Sequence, residues 1–234
     1  SNATEVVVTM LADDLSSEEV HRGPDGLFAG SAVTYIEMGT MSPDHIADLA
    51  AKAPAGRHVI DAPVSGATQA AEDAQLLIMA GCSQDMLAPI QPLFDVMGKQ
   101  TICLGRTGAG AVMKLAVNML IHGINQTFAE AMTLAEATGI PTEAAFEAIE
   151  ASAACAPMLT YRKPLYLDEA AHDVTFTVAL AQKDMRVTAE LAGKLGVPLP
   201  QSQATLDILN EAAGVGYDAR DMAAILNYMR GKQT

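Results

Sequence analysis

From Gly108 to Thr138 the chain runs without a proline and is filled by Ala, Leu, Met, Glu and Gln, all good helix formers. That stretch predicts a single helix of about eight turns spanning roughly 45 Å, far beyond the ~11–12-residue mean. A helix of that length joins two domains or forms a subunit interface. Gly108 and Gly110 near its start would let another backbone or a ligand approach closely. Lys114 and Asn118 stand four residues apart, so they project from one face and form the candidate pair for chemistry. The ordinary alternatives are a solvated helix lysine and a satisfied helix amide. His122 continues the same face, where a lone histidine is usually structural.

Everything before this helix alternates. Val6–Leu11 reads as a buried parallel strand, and Ser16–Glu19 as part of a short capped helix. Thr34–Met38 is a second strand; Ser42 then caps a helix with Pro43 at its first position. His58–Val64 is a third strand, turning at Ser65-Gly66-Ala67 into a short Ala-rich helix. Gln75–Ala80 is a fourth strand, Gln84–Met97 a helix and Thr101–Leu104 a fifth strand. Such alternation predicts a parallel or mixed α/β sheet. After Gly108 no strand pattern returns. Helices are expected near 142–151, 176–195, 201–213 and 218–229, with Gly139-Ile140-Pro141 and Gly196-Val197-Pro198 as stops. The expected fold is thus an incomplete Rossmann-type α/β sheet followed by an all-helical C-terminal domain, joined by the long helix. The boundary falls near Arg106, giving 4–106 as a truncated dinucleotide-binding domain and 107–234 as a substrate and dimerisation domain.

With 28 acidic against 14 basic residues the net charge is −14, which argues against nucleic acid or an anionic membrane as partner. Cys82, Cys103 and Cys155 are odd in number and widely spaced, so they read as reduced, buried thiols with no metal site. No apolar run reaches the ~18 residues that span a bilayer, and no signal peptide is evident, which makes the cytoplasm the default location. Ser1-Asn2-Ala3 reads as an expression-tag scar.

A nucleotide-binding sheet of this class opens with a Gly-rich turn, G-x-G-x-x-G, whose N–H groups hold a pyrophosphate. No such turn occurs; Gly108-Ala109-Gly110 is the nearest match. Yet four blocks in order resemble the β-hydroxyacid dehydrogenases, the family of 3-hydroxyisobutyrate dehydrogenase and tartronate semialdehyde reductase (2-hydroxy-3-oxopropionate reductase). Glu37–Pro43 is similar to its D-x-S-T-x-x-P stretch. Asp61-Ala62-Pro63-Val64-Ser65-Gly66 matches its substrate loop. Gly108 to Asn118 matches its G-x-G-x-x-x-K-x-x-x-N helix, and Phe176, Leu180, Lys183 and Asp184 match its F-x-x-x-L-x-x-K-D segment. Ala67 stands where a second Gly is usual, Gly39 where Ser is usual, and Asp73-Ala74-Gln75-Leu76 where the family tends to Gly-Thr-Leu. The family's opening segment, with the Gly-rich turn, is expected to be missing.

The resemblance implies an NAD- or NADP-dependent oxidoreductase of small 3-hydroxy acids or their semialdehydes. It implies that Lys114 handles the proton of the reacting oxygen and that Asn118 binds substrate or orients Lys114. Ser65 and Gly66, after a strand's carboxyl end, would take a substrate carboxylate. Lys183 would lie near substrate and nicotinamide, Phe176 would wall the nicotinamide, and Leu11 and Thr40 would border the cofactor. Asp184 would cap or pair. The implied partners are a small carboxylate substrate and further copies of the chain, in a homodimer or homotetramer through the helical domain. A 6-phosphogluconate dehydrogenase is disfavoured because Val117 stands where that enzyme has His, and the imine reductases because they usually replace the lysine. The alternative is a catalytically incompetent fragment that binds substrate or oligomerises but lacks the pyrophosphate loop.

Overall fold

A computed structural model describes residues 4–232; the expected tag scar at 1–3 lies outside them. The elements are β1 (Val6–Thr9), α1 (Asp14–Arg22), β2 (Thr34–Glu37), α2 (Pro43–Ala51), β3 (His58–Asp61), β4 (Val64–Ser65), α3 (Ala67–Glu72), β5 (Leu76–Ala80), α4 (Gln84–Leu87), α5 (Gln91–Asp95) and β6 (Gly98–Cys103). There follow α6 (Ala109–Ala137), α7 (Thr142–Glu150), α8 (Pro157–Tyr161), α9 (Lys163–Leu167), α10 (Val178–Leu195), α11 (Pro200–Ala212) and α12 (Ile225–Gly231). The chain divides into two compact units after Ala116, within α6.

In the N-terminal unit β1, β2 and β3 pair in parallel, and β4, β5 and β6 form a second small sheet in which β4 runs antiparallel to β5. The expected single strand His58–Val64 is therefore two. Pro63 has no N–H to give to a ladder, and Val64–Ser65 pairs instead with Leu77–Ile78. The first strand is not buried on both faces: β1 ends the three-stranded order and Val8 is 42% exposed. The expected helix 84–97 splits into α4 and α5 because Pro89 and Pro92 remove two donors. Asp13, rather than a serine, caps α1, in a box with Ser16. Ser42 caps α2 with Pro43 at its first position, as the sequence suggests. The core gathers Ile36, Ile60, Ile78, Leu87 and Phe94.

The C-terminal unit is all helical. Phe128, Met132, Phe146, Tyr166, Met185 and Ile225 centre its core, with Phe128 edge-on to Phe146 at 5.2 Å between centroids. The short helices α8 and α9 were not anticipated; prolines at their first turns start them. The last expected helix begins late, because Asp221 accepts from Ala223 N and opens a 3-10 turn at Met222–Ala224 before α12. Of the three free cysteines only Cys82 is fully buried; Cys103 and Cys155 are half-buried.

The start of α6 belongs with the N-terminal unit for a visible reason. Asp61, at the end of β3, accepts hydrogen bonds from Gly108 N and Ala111 N, both at 2.8 Å. It thereby places an acceptor at the helix's unpaired N–H groups. Gly108 lies at φ +83°, a conformation glycine adopts without strain. Gly110 serves differently: a Cβ there would stand 2.3 Å from Met79 O and 2.9 Å from Asp61 O. Burial pushes the Asp61 carboxyl up to about 6, against the pull of the backbone N–H groups that favour its ionised form.

Gly110→Ala should lower unfolding stability by about 2–3 kcal/mol through overpacking. Gly123→Ala, in the same helix with open space at its Cβ, should raise it by about 1 kcal/mol; paired urea unfolding curves check both. Asp61's folded pKa lies above its unfolded value of 3.8. Its contribution is thus fully present below that value and lost as pH passes through about 6. The stability of the parent relative to Asp61→Asn should accordingly fall by up to about 3 kcal/mol between pH 4 and 7, read from denaturation midpoints at each pH.

Candidate active site

The residues singled out by the sequence fall in both units. In the N-terminal unit, register places Thr9, Glu37 and Asp61 side by side at the carboxyl ends of β1, β2 and β3, the edge where open α/β sheets bind ligands. Glu37 is fully buried and collects Thr9 Oγ1 and Ser17 Oγ at 2.9 Å and Gly39 N at 3.0 Å. It ties the end of β1 and the loop after β2 to α1. Asp61 ties the loop after β3 to α6. Leu11 and Thr40 follow β1 and β2 in the chain, both half-buried. Ser65 ends β4 half-buried and Gly66 is exposed. Gly66 has φ +143° and Ala67 φ +57°, so two consecutive residues leave the usual basins and turn the chain into α3. Lys114 stands half-buried on the second turn of α6.

In the C-terminal unit Asn118, Lys183 and Asp184 meet. Asp184, on α10 and 1% exposed, accepts from Asn118 Nδ2 at 2.5 Å and pairs with Lys183 Nζ at 3.0 Å. His122, one turn beyond Asn118, brings Nε2 to 4.0 Å from the same Asp184 oxygen. Burial alone would raise the Asp184 carboxyl; His122 and Lys183 together hold it below its usual range. Asp184 is thus an ionised, buried acceptor that orients an amide and an ammonium. The expected pairing role is what the geometry gives it.

Phe176 precedes α10, and its ring lies 5.7 Å from the His122 ring. Asp221 fixes it there. Fully buried, Asp221 accepts from Thr175 N at 2.9 Å, Thr175 Oγ1 at 3.0 Å, Phe176 N at 3.2 Å and Ala223 N at 2.9 Å, and pairs with Arg162. Burial raises this carboxyl; the Ala223 N–H and the Arg162 guanidinium outweigh it and leave the pKa lowered.

Glu37, Asp61 and Asp221 were given no role from sequence. The first two carry a usable signal, an acidic residue closing a β-branched run just before the chain turns. Asp221 carries none beyond being a good helix cap.

Two family models match. That for the NAD-binding of NADP-dependent 3-hydroxyisobutyrate dehydrogenase covers residues 108–229, and that for the NAD binding domain of 6-phosphogluconate dehydrogenase covers residues 1–105. The chain is 30% identical to 2-(hydroxymethyl)glutarate dehydrogenase of Eubacterium barkeri, over 96% of this chain and 75% of that protein. It is 28% identical to the chloroplastic glyoxylate/succinic semialdehyde reductase 2 of Arabidopsis thaliana, over 98% of this chain and 65% of that protein. Among solved structures it resembles 3-hydroxyisobutyrate dehydrogenase of Mycobacterium tuberculosis with L-serine. There the TM-score is 0.84 at 26% identity, covering 98% of this chain and 80% of that one. The motif blocks, the α/β-then-helical architecture and these matches agree: the chain belongs to the β-hydroxyacid dehydrogenase family of NAD(P)-dependent oxidoreductases.

Proposed function

We propose that the protein moves a hydride between a nicotinamide and a small 3-hydroxy acid or its semialdehyde, of the 3-hydroxyisobutyrate dehydrogenase or 2-hydroxy-3-oxopropionate reductase type. The observation that supports this most is the buried Asp184, which orients both Asn118 and Lys183. An ionised carboxylate with no bulk solvent is built to aim polar groups, and here it aims two that the family pattern assigns to the site. The dinucleotide, when bound, supplies or accepts the hydride. By the family pattern, Leu11 and Thr40 at the carboxyl edge of the sheet would border its nicotinamide end, and Phe176 and Lys183 of the C-terminal unit would contribute to holding it. Residues 4–106 take the dinucleotide-binding role and 107–234 the substrate and dimerisation role.

The chain's own residues then divide the work. Ser65 Oγ and the N–H groups around Gly66 hold the substrate carboxylate. Asn118 hydrogen-bonds the reacting oxygen. Lys114 gives its ammonium proton to that oxygen as the carbonyl carbon is reduced, and removes it in the oxidation direction. The chain spans 65% of the Arabidopsis reductase it resembles and contains no G-x-G-x-x-G turn. That last feature supports the second reading: the 234 residues alone form a non-catalytic, self-associating unit.

Self-association has its own support. On α6, Leu120 and Leu134 are 60% and 71% exposed. An apolar cleft of about 560 Å³ opens beside Leu120, Ile124, Phe128 and Leu159. A second copy covering this face gives a homodimer or homotetramer. No helix among the described residues is long and apolar enough to cross a membrane; we place the protein in the cytoplasm.

Lys114→Ala should lower kcat by about 10²–10⁴-fold for NADPH- or NADH-linked reduction of tartronate or methylmalonate semialdehyde. The assay uses the full-length gene product; near-parent turnover would remove Lys114 from the chemistry. Calorimetric titration of the 234-residue chain with both dinucleotides separates the two readings, since micromolar binding excludes the non-catalytic one. Leu120→Asp with Leu134→Asp should shift sedimentation to the monomer, and an unchanged sedimentation coefficient would move the interface elsewhere.

A further inference from the structure

We infer that His122 is a positioning residue: it holds a second hydrogen-bond donor in reserve for Asp184, so that Asn118 can leave that carboxylate and turn to the substrate. Where Asn118 goes rests on the hydride-transfer reading above; the exchange of donors rests on the C-terminal unit alone. In the structure the Asn118 amide nitrogen is committed to Asp184 Oδ2 at 2.5 Å. Turning it to a substrate oxygen would strand that oxygen, buried and ionised, which is strongly unfavourable.

His122 is placed to prevent this. It is 3% exposed, and neither ring nitrogen has a hydrogen-bond partner among the described residues. A buried imidazole with neither nitrogen within normal hydrogen-bond distance of a partner is itself unusual. Its Nε2 lies 4.0 Å from the oxygen that Asn118 occupies, about 1 Å beyond hydrogen-bond reach. Asn118 and His122 are one helical turn apart, so both approach Asp184 from the same face of α6. Phe176 packs against the imidazole and limits where the ring can swing. Lys183 holds the other carboxylate oxygen and stays in place during the exchange. With the proton on Nε2, a small rotation of ring or carboxylate replaces the amide donor by the imidazole donor.

A double-mutant cycle tests this without any turnover. Urea midpoints are measured for the parent, Asn118→Ala, His122→Leu and the double variant. Either donor alone can serve Asp184, so the double variant should lose more than the sum of the two single shifts; additive shifts overturn the inference. In the Asn118→Ala background, His122→Gln keeps a donor and should recover most of the difference. Recovery no better than with Leu also overturns it. Should His122→Leu fail to fold, His122→Phe, which keeps a ring against Phe176, takes its place. In the full-length protein His122→Leu should raise KM for the semialdehyde about tenfold, the scale of one buried hydrogen bond, with NADPH affinity unchanged. An unchanged KM overturns the link to Asn118. Absence of any NADPH- or NADH-linked turnover of either semialdehyde by the parent would sink the reaction assigned above while leaving the unfolding cycle to be judged by itself.

Discussion

The hydrogen bonds from Gly108 and Ala111 to Asp61 are the constraint on which the N-terminal unit depends. They join the end of the parallel sheet to the first turn of a 29-residue helix. An unpaired helix N-terminus carries free donors and a partial positive charge; one carboxylate satisfies two of those donors and complements the charge. The fit is close enough to dictate neighbours. Gly81 would put a Cβ 2.2 Å from Asp61 Oδ1, so that position too needs the smallest residue. Lys114, one turn beyond Ala111, inherits its place from this anchor.

The same device recurs. Glu37, Asp61, Asp184 and Asp221 are all essentially buried, and each is held by hydrogen bonds or ion pairs to at least one distant segment. Such carboxylates are unfavourable unless fully partnered. Once partnered, they fix loops that no apolar contact could hold in one orientation. Two of them lie next to residues of the proposed chemistry, Asp184 beside Lys183 and Asn118 and Asp221 beside Phe176, and Glu37 holds Gly39, the residue before Thr40. The apolar cores hold the helices and strands; the carboxylates aim what hangs from them.

Much of this was legible in the sequence. The long helix, its glycine-proline stop, the change from α/β to all-α and the joint presence of four spaced blocks follow from periodicity, glycine and proline placement, and residue identity. What was illegible had local physical causes. Pro63 cut one apparent strand in two, and Pro89 and Pro92 did the same to a helix, because a missing N–H overrides an apolar pattern. The short α8 and α9 had too few residues to show a period. The acceptor roles of Glu37, Asp61 and Asp221 depend on partners far away in sequence: 47 residues separate Asp61 from Gly108. The meeting of Asn118 with Asp184 across 66 residues is likewise invisible to spacing, although both residues stood out through the family pattern.

The two alanines that bracket α3 have a wider meaning. Ala67 at φ +57° and Ala74 at φ +54° occupy left-handed backbone; Ala67 stands where the family pattern has a second glycine, and Ala74 lies in the Asp73–Leu76 stretch that stands for its Gly-Thr-Leu. Each methyl carries roughly 1–2 kcal/mol of steric strain that glycine would not. The segment following the proposed carboxylate-holding turn is therefore a stretch where alanine methyls stiffen left-handed backbone. Evolutionary drift there is channelled: glycine, asparagine and aspartate are the accessible replacements, while a valine or isoleucine would force the peptide planes to reorient.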